Sequence, residues 1–186
     1  MGYQQTDGRN GASCSCVSKP ACPIPLLIQS STALGDRDMT TWLLDHSANP
    51  NARYYIDYTP LSYAVTYADL PTIDLLLRRG GDINKGQLVH NAIYRESNTL
   101  QVVKELIDRG APLNTLMYQD DPASRGMFPF MVETPLHTAV ALKREDVIRY
   151  LVSKGADVNI KNCKGQTAVE CADEHSREII QTSLIV

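Results

Sequence analysis

The sequence predicts an all-α solenoid of about five helix–turn–helix units, and two observations support this fold class. A Thr-Pro-Leu motif begins at Thr59 and again at Thr134, and a Gly-x-Asp-x-Asn motif ends at Asn84 and again at Asn159. The spacing from Thr to Asn is identical in the two copies, since 84 − 59 and 159 − 134 both equal 25. The next matching threonine, Thr167, follows Thr134 by 33 residues. A fixed period of this length is typical of stacked supersecondary units.

The fourth unit shows why each repeat is expected to be a pair of helices. Thr134 is a good N-cap, and Pro135 stands at the first helical position, where a missing amide costs no hydrogen bond. A second helix is predicted from about Asp146 to Ser153, and Gly155 ends it in a left-handed conformation. Apolar residues recur at helical spacing along both segments: Leu136, Ala139, Val140, Val147, Ile148, Leu151 and Val152.

These motifs resemble the ankyrin repeat family, through Thr-Pro-Leu-His-Thr-Ala at 134–139 and Gly-Ala-Asp-Val-Asn at 155–159. The resemblance extends from about residue 24 to the end of the chain, after a flexible leader at 1–23. It implies units at about 24–51, 52–84, 85–114, 132–159 and 160–186, with an insertion at 115–131.

The connections around unit three depart from this pattern. The closing asparagine is normally followed after eight residues by the next opening position, as from Asn51 to Thr59. From Asn84 to Gln87 the distance is three, so the β-hairpin finger of the family is nearly absent there. From Asn114 to Thr134 it is twenty, which predicts one long hairpin insertion. Unit three also lacks the Thr-Pro opening, and we predict that it is the weakest internal repeat.

The insertion is too apolar for a solvated loop. It contains both phenylalanines of the protein and three of its five methionines. Insertions in repeat proteins often map to the binding face, and long structured loops are often functional. Two interpretations remain open: a flap that folds over the concave face, or a hairpin that packs on its own neighbours.

Composition and charge narrow the classes of function. A net charge of −3 and a pI near 5.8 argue against nucleic acid as the main partner. No apolar run is long enough for a transmembrane segment, and no secretory signal is visible. The five cysteines are then expected to be reduced, in the cytoplasm or the nucleus. The start of the chain also fits N-myristoylation at Gly2, with leader cysteines for a second lipid and a peripheral membrane location as the alternative.

The resemblance implies a binding module whose partner is a protein or peptide. In the ankyrin family, partners contact the finger tips and the exposed side of the first helices. Tyrosine is a favoured contact residue because it buries a large area at low entropic cost. The expected contacts, including two phenylalanines of the insertion, are Tyr55, Tyr58, Tyr67, Tyr94, Arg95, Phe128 and Phe130.

The alternative is small-molecule binding or proton-transfer catalysis, such as isomerisation or cyclisation, under the insertion. Carboxylate, phenol and imidazole groups in a covered pocket would suffice for it, and the candidates are His90, Tyr94, Asp120, Asp121 and Glu133. The resemblance instead gives His90 and His137 a structural role, in hydrogen bonds to neighbouring backbone. No motif for a cofactor, a metal ion or a nucleophilic triad is present, so no cofactor is expected and the enzyme interpretation stays secondary.

Overall fold

The computed structural model describes residues 36–53 and 57–185, and these ranges hold ten α-helices, one 3-10 turn and no β-strand. The helices are α1 (Arg37–Asp45), α2 (Pro60–Tyr67), α3 (Leu70–Arg78), α4 (Leu88–Ile93), α5 (Thr99–Asp108), α6 (Pro122–Met127), α7 (Pro135–Ala141), α8 (Glu145–Ser153), α9 (Ala168–Cys171) and α10 (Glu174–Ser183), with the 3-10 turn at Pro129–Met131. The leader, its Gly2 and Tyr55 lie outside the described residues.

The helices stack in two layers. The inner helices α2, α4, α7 and α9 pack against one another in chain order, and an outer helix follows each of them. The outer helices α3 and α5 meet less closely than the pairs α5–α8 and α8–α10. This arrangement confirms the predicted all-α solenoid.

Local sequence sets the ends of these helices. Thr59, Thr134 and Thr167 all form capping boxes at the starts of α2, α7 and α9. Gly155 has a φ of 88° after α8, as expected for a left-handed C-terminal cap. In unit one Ser47 stands in the place of this glycine and has a φ of 67°.

One continuous apolar core runs through the stack. Leu61, Val89 and Leu136, which occupy the same position in units two, three and four, are all buried in a single cluster. Burial of a leucine side chain contributes roughly 1.5–3 kcal/mol. Each unit therefore depends on its neighbours, because its own pair of helices cannot enclose this stripe.

Side chains at the fourth position of each opening motif tie one unit to the next. His90 Nε2 lies 2.9 Å from the carbonyl oxygen of Glu133, and His137 Nε2 lies 3.0 Å from that of Gln166. In unit two the hydroxyl of Ser62 donates to the carbonyl of Gly86 over 2.7 Å. Each acceptor directly precedes the opening residue of the following unit. The structural role expected for the two histidines is therefore seen in the structure.

The short connection explains why unit two carries serine at this position. Gly86 has a φ of +80°, and a Cβ on it would lie 1.9 Å from Ser62 Oγ and 2.8 Å from Thr59 Oγ1. The missing finger thus brings the backbone of residue 86 directly against the start of α2. A short hydroxyl spans this gap, whereas an imidazole would have no room.

A second set of links uses the closing asparagines, and it is interrupted between units two and three. Asn114 accepts from the amide of Asp157 at 2.9 Å, and Asn51 accepts from that of Asp82 at 2.7 Å. The equivalent residue in unit three is Pro112, which has no amide hydrogen. Among the residues described, Asn84 bonds within its own loop, to Asp82.

The insertion is helical rather than the hairpin that we expected. Its base is closed by a hydrogen bond from the amide of Met117 to the carbonyl of Glu133 at 2.9 Å, and α6 and the 3-10 turn lie between them. Cys163 donates its amide to Val132 at 2.9 Å, and Arg53 lies 3.8 Å from Asp121. The insertion thus contacts the connections on both sides, which matches the interpretation of a segment packed on its neighbours.

Candidate functional site

An open groove lies at the carboxyl ends of the inner helices α2 and α4. It has a volume of about 450 Å³, and we call it the tyrosine groove. Tyr67 is 68% exposed and Tyr94 is 41% exposed, although both are large and partly apolar. The groove is lined by Thr66, Tyr67, Tyr94, Arg95, Glu96 and Ser97. Two of the residues predicted to contact a partner are therefore brought together in one exposed site.

The structure corrects the prediction that Arg95 is an exposed contact residue. Its side chain is buried, with only 7% of the residue exposed, and it points back into the end of α2. The guanidinium donates to the carbonyl oxygens of Ala64, Val65 and Ala68. The carbonyl of Ala64 also accepts from the amide of Ala68 at 2.8 Å, whereas those of Val65 and Ala68 have no backbone donor among the described residues, so a cation is well placed there. Arg95 holds the backbone on both sides of Tyr67, and it directly follows Tyr94 in the sequence.

Tyrosines continue from the groove towards the insertion. The rings of Tyr63 and Tyr67 are in contact, with 4.8 Å between their centroids. Tyr58, which we expected to be exposed, is half-buried, and its hydroxyl lies 3.3 Å from Thr66 Oγ1. Burial raises the pKa of the Tyr58 phenol above its ordinary value. The contact with Tyr63 restricts the ring of Tyr67, and Arg95 restricts its backbone.

Carboxylates surround this aromatic cluster. Burial raises the pKa of Tyr94, and the charge of Glu133 raises it further. Burial likewise raises the pKa of Tyr118, with a further contribution from Asp57 and Asp121. Asp57 accepts from Arg53 and, at 2.8 Å, from Gln87. Glu96 makes no hydrogen bond or ion pair with any residue that the structure describes. Glu96 is therefore the carboxylate of the groove that is available to a ligand.

The two phenylalanines of the insertion differ in role. Phe128 is half-buried, and its ring packs against Tyr118 with a centroid distance of 5.9 Å. Phe130 is 83% exposed, and its backbone carbonyl is 3.5 Å from the sulfur of Cys163. Phe130 thus remains available as a contact, whereas the ring of Phe128 already stabilises the insertion.

The five residues of the catalytic alternative do not all line one pocket, since His90 and Asp120 line a small cavity and Tyr94 lines the tyrosine groove. His90 is buried, burial lowers its pKa to about 4, and its Nε2 donates to a backbone carbonyl. Asp121 accepts from Ser124 and faces Arg53, and Glu133 accepts from Thr138 at 2.9 Å. Tyr94 lines the groove described above, while Asp120 is exposed. The imidazole is neutral and engaged, and no shared proton-transfer geometry is formed by these groups.

A smaller cavity lies where the finger between units two and three is missing. Its volume is about 200 Å³, and His90 and Asp120 are among the residues that line it, with Gln87 and Gln119. Pockets for drug-sized ligands usually have volumes of at least about 300 Å³. This cavity is below that size, so its dimensions do not favour the small-molecule alternative.

Sequence reasoning missed three residues of the site. Glu96 lies in the widened turn between α4 and α5, which has five residues where the turn between α7 and α8 has three. That widening was visible in the spacing, but the exposed carboxylate within it was not singled out. Tyr118 and Asp57 were also missed, because their proximity depends on how the insertion folds.

The stacked helix pairs and the exposed groove define a repeat solenoid of the kind that generally serves in protein–protein interaction. The family model described as Ankyrin repeats (3 copies) matches residues 89–182, and the one described as Ankyrin repeat matches residues 57–86. The chain therefore belongs to the ankyrin repeat family. None of the helices within residues 36–53 and 57–185 combines the length and the apolar character that a membrane span requires.

The chain is similar to parts of several longer proteins. It is 31% identical to B-cell lymphoma 3 protein of Homo sapiens, over 93% of this chain and 33% of that protein. It is 38% identical to BRCA1-associated RING domain protein 1 of Caenorhabditis elegans, over 60% of this chain and 15% of that protein. An ankyrin repeat protein of fowlpox virus is 31% identical over 69% of this chain and 29% of its own length. The chain thus corresponds to a third or less of each relative.

Proposed function

We propose that this chain is a binding module that holds a segment of another protein in the tyrosine groove. The observation that carries the proposal is the exposure of Tyr67 and Tyr94 in one open groove. Exposed aromatic residues on a rigid surface are frequent energetic centres of protein interfaces. Arg95 supplies that rigidity, since it links the backbone of the two units on which the tyrosines stand.

Phe130 is proposed as a second contact at the edge of the site. Its side chain is highly exposed, and its neighbours hold the backbone of the insertion from both ends. Ankyrin repeats generally act as protein-interaction modules, and the name of the relative from C. elegans records an association with another protein. A polypeptide is therefore the best-supported class of partner.

The test is a selection of peptides from a random library displayed on phage, with the full 186-residue chain immobilised. We expect the enriched peptides to bind Tyr67→Ala/Tyr94→Ala at least roughly tenfold more weakly than the unaltered chain. Trp42→Ala is the matched control, since it removes an exposed aromatic residue from the outer helix α1. Thermal unfolding checks that all variants are folded. Equal binding by the double variant would contradict the proposal.

A further inference from the structure

We propose that the tyrosine groove accepts a positively charged side chain, lysine or arginine, from the partner. This inference rests on the proposed binding function and specifies the chemistry of its occupant. Tyr67 and Tyr94 supply aromatic faces in the groove, and Glu96 supplies a carboxylate. A cation over an aromatic ring is attracted by the negative face of the ring, and a nearby carboxylate adds a charge–charge attraction.

The acidic side chain of the groove, Glu96, has no partner in the described ranges, whereas its basic side chain, Arg95, is engaged in hydrogen bonds. The carboxylate of Glu96 is exposed and has no partner among the residues that the structure describes. The guanidinium of Arg95 also lines the groove, but its hydrogen bonds go to the carbonyls at the end of α2 and to Ser97. Arg95 is therefore committed to the fold, and its donors are turned away from an incoming ligand.

The wider surroundings contain further carboxylates and two arginines that are already engaged. Glu133 is close enough to raise the pKa of Tyr94, and its carboxylate accepts only a hydroxyl, that of Thr138, within the described ranges. Asp57 and Asp121 lie on the insertion side of the cluster, and both are shared by one arginine, Arg53. Arg125 of the insertion does not line the groove, whereas Arg144 lies next to it and donates from Nη2 to the carbonyl oxygen of Arg95 over 2.7 Å. Because Arg95 and Arg144 both donate to backbone carbonyls while Glu96 has no partner in the part of the chain that the structure describes, the groove favours a cationic occupant over an acidic one.

Arginine fits this site through geometry as well as charge. Its planar guanidinium can stack on a phenol ring while its edge donates to a carboxylate. A lysine ammonium would make the same two contacts as a point charge. Both side chains therefore fit the groove, and an uncharged residue of similar length would lose both attractions.

The peptide selection described above also tests this inference, with a different readout. We expect at least one lysine or arginine to recur in the enriched peptides. Replacing that residue by citrulline, for arginine, or acetyl-lysine, for lysine, should weaken binding roughly tenfold. Glu96→Gln should weaken it about threefold to tenfold and reduce its dependence on NaCl concentration. Glu178→Gln, an exposed carboxylate on α10, is the control and should leave binding unchanged.

Loss of the cation site and loss of the binding function give different results in these measurements. Enriched peptides that depend on Tyr67 and Tyr94 but lack a recurring basic residue would overturn the inference and leave the binding function standing. Acidic peptides, or basic peptides unaffected by Glu96→Gln, would overturn it as well. Failure to enrich any peptide that depends on the two tyrosines would overturn both.

Discussion

The guanidinium Nη2 of Arg95 donates to the carbonyl oxygen of Ala68 over 2.8 Å, and this bond joins unit three to the end of helix α2. The same group also reaches the carbonyls of Ala64 and Val65. One side chain thus satisfies the carbonyls of Val65 and Ala68, which have no backbone donor in the described part of the chain. Since Tyr67 lies between these acceptors in the chain, the contact couples the stability of the repeat stack to the shape of the groove.

Replacing Arg95 should therefore destabilise the protein strongly. Arg95→Met leaves the carbonyls of Val65 and Ala68 without their buried donor, and we expect a loss of about 2–4 kcal/mol in the free energy of unfolding. The stability of Arg95→Lys should lie between that of the unaltered protein and that of Arg95→Met, because one ammonium cannot reproduce the fork geometry of the guanidinium. Urea denaturation measures both, with Arg125→Met as the control in the exposed part of the insertion. Equal stability of Arg95→Met and Arg125→Met would show that the bonds contribute nothing.

The contact of Ser62 with Gly86 should behave as a coupled pair. Gly86→Ala places a methyl group 1.9 Å from Ser62 Oγ, in a backbone conformation with positive φ, so we expect a loss of more than about 2 kcal/mol. Ser62→Ala should cost about 1–3 kcal/mol through its lost buried hydrogen bond. The double variant should lose less than the sum, because the first clash is relieved when Oγ is absent.

Gly110→Ala is the matched control for this cycle. Gly110 also has a positive φ, of +94°, but nothing lies within 4 Å of a Cβ built on it. It should show the cost of the left-handed conformation alone, about 1–2 kcal/mol. Additivity of the Ser62 and Gly86 substitutions would argue against the close approach seen here.

His90 should make the stability of the protein depend on pH. Burial lowers its pKa from 6.5 to about 4, so between these pH values the unfolded chain binds a proton that the folded chain does not. The contribution is fully present above about pH 6.5, and it is lost as the pH falls towards 4, by up to about 3 kcal/mol. Chemical denaturation at pH 7, 5.5 and 4.5 measures this slope.

The slope should be smaller in His90→Gln, although that variant is less stable at pH 7. His46→Gln, which alters an exposed histidine on the turn after α1, should retain the slope of the unaltered protein. An unchanged slope in His90→Gln would assign the effect to other groups.

Unit three should be the least protected internal repeat in hydrogen exchange. Neither α4 nor α5 has a side-chain cap at its start, and their N-cap residues Gln87 and Asn98 are both in the left-handed conformation. The outer helices α3 and α5 also meet less closely than their neighbours. We expect amides of α4 and α5 to exchange faster than those of α7 and α8. Uniform protection across units two to four would contradict this expectation.

Pro112→Asp tests the same joint in the opposite direction. It restores an amide hydrogen at the position where Asp82 and Asp157 bond to the preceding asparagine. We expect slower exchange around Asn84 and a net gain of about 0.5–1 kcal/mol in the free energy of unfolding. This net value allows for the greater conformational freedom of the unfolded chain once the proline is removed. Loss of stability in this variant would show that the asparagine link is not limiting.

Much of the fold was predictable from the chain because the repeat motif carries its own geometry. Thr134 and Gly155 mark helix ends by local chemistry, and the prediction of both is confirmed. The five-residue turn after α4 also follows from spacing, since Ala92 to Gly110 is two positions longer than Ala139 to Gly155. The candidate site was predicted in part. Tyr67 and Tyr94 are exposed as expected, whereas Arg95 is buried and Tyr58 is half-buried.

The sequence by itself determined the repeat period, the helix pairs and the location of the irregular connections around unit three. These depend on caps, turns and apolar spacing within about thirty residues. Only the tertiary structure decided that Arg95 turns inward, that the insertion is helical, and that Glu96 lies beside Tyr67 and Tyr94. The sequence does not distinguish an arginine at a helix end that faces water from one that faces the carbonyls of the preceding unit. Its direction is set by which unsatisfied backbone groups the stacked neighbour places within reach.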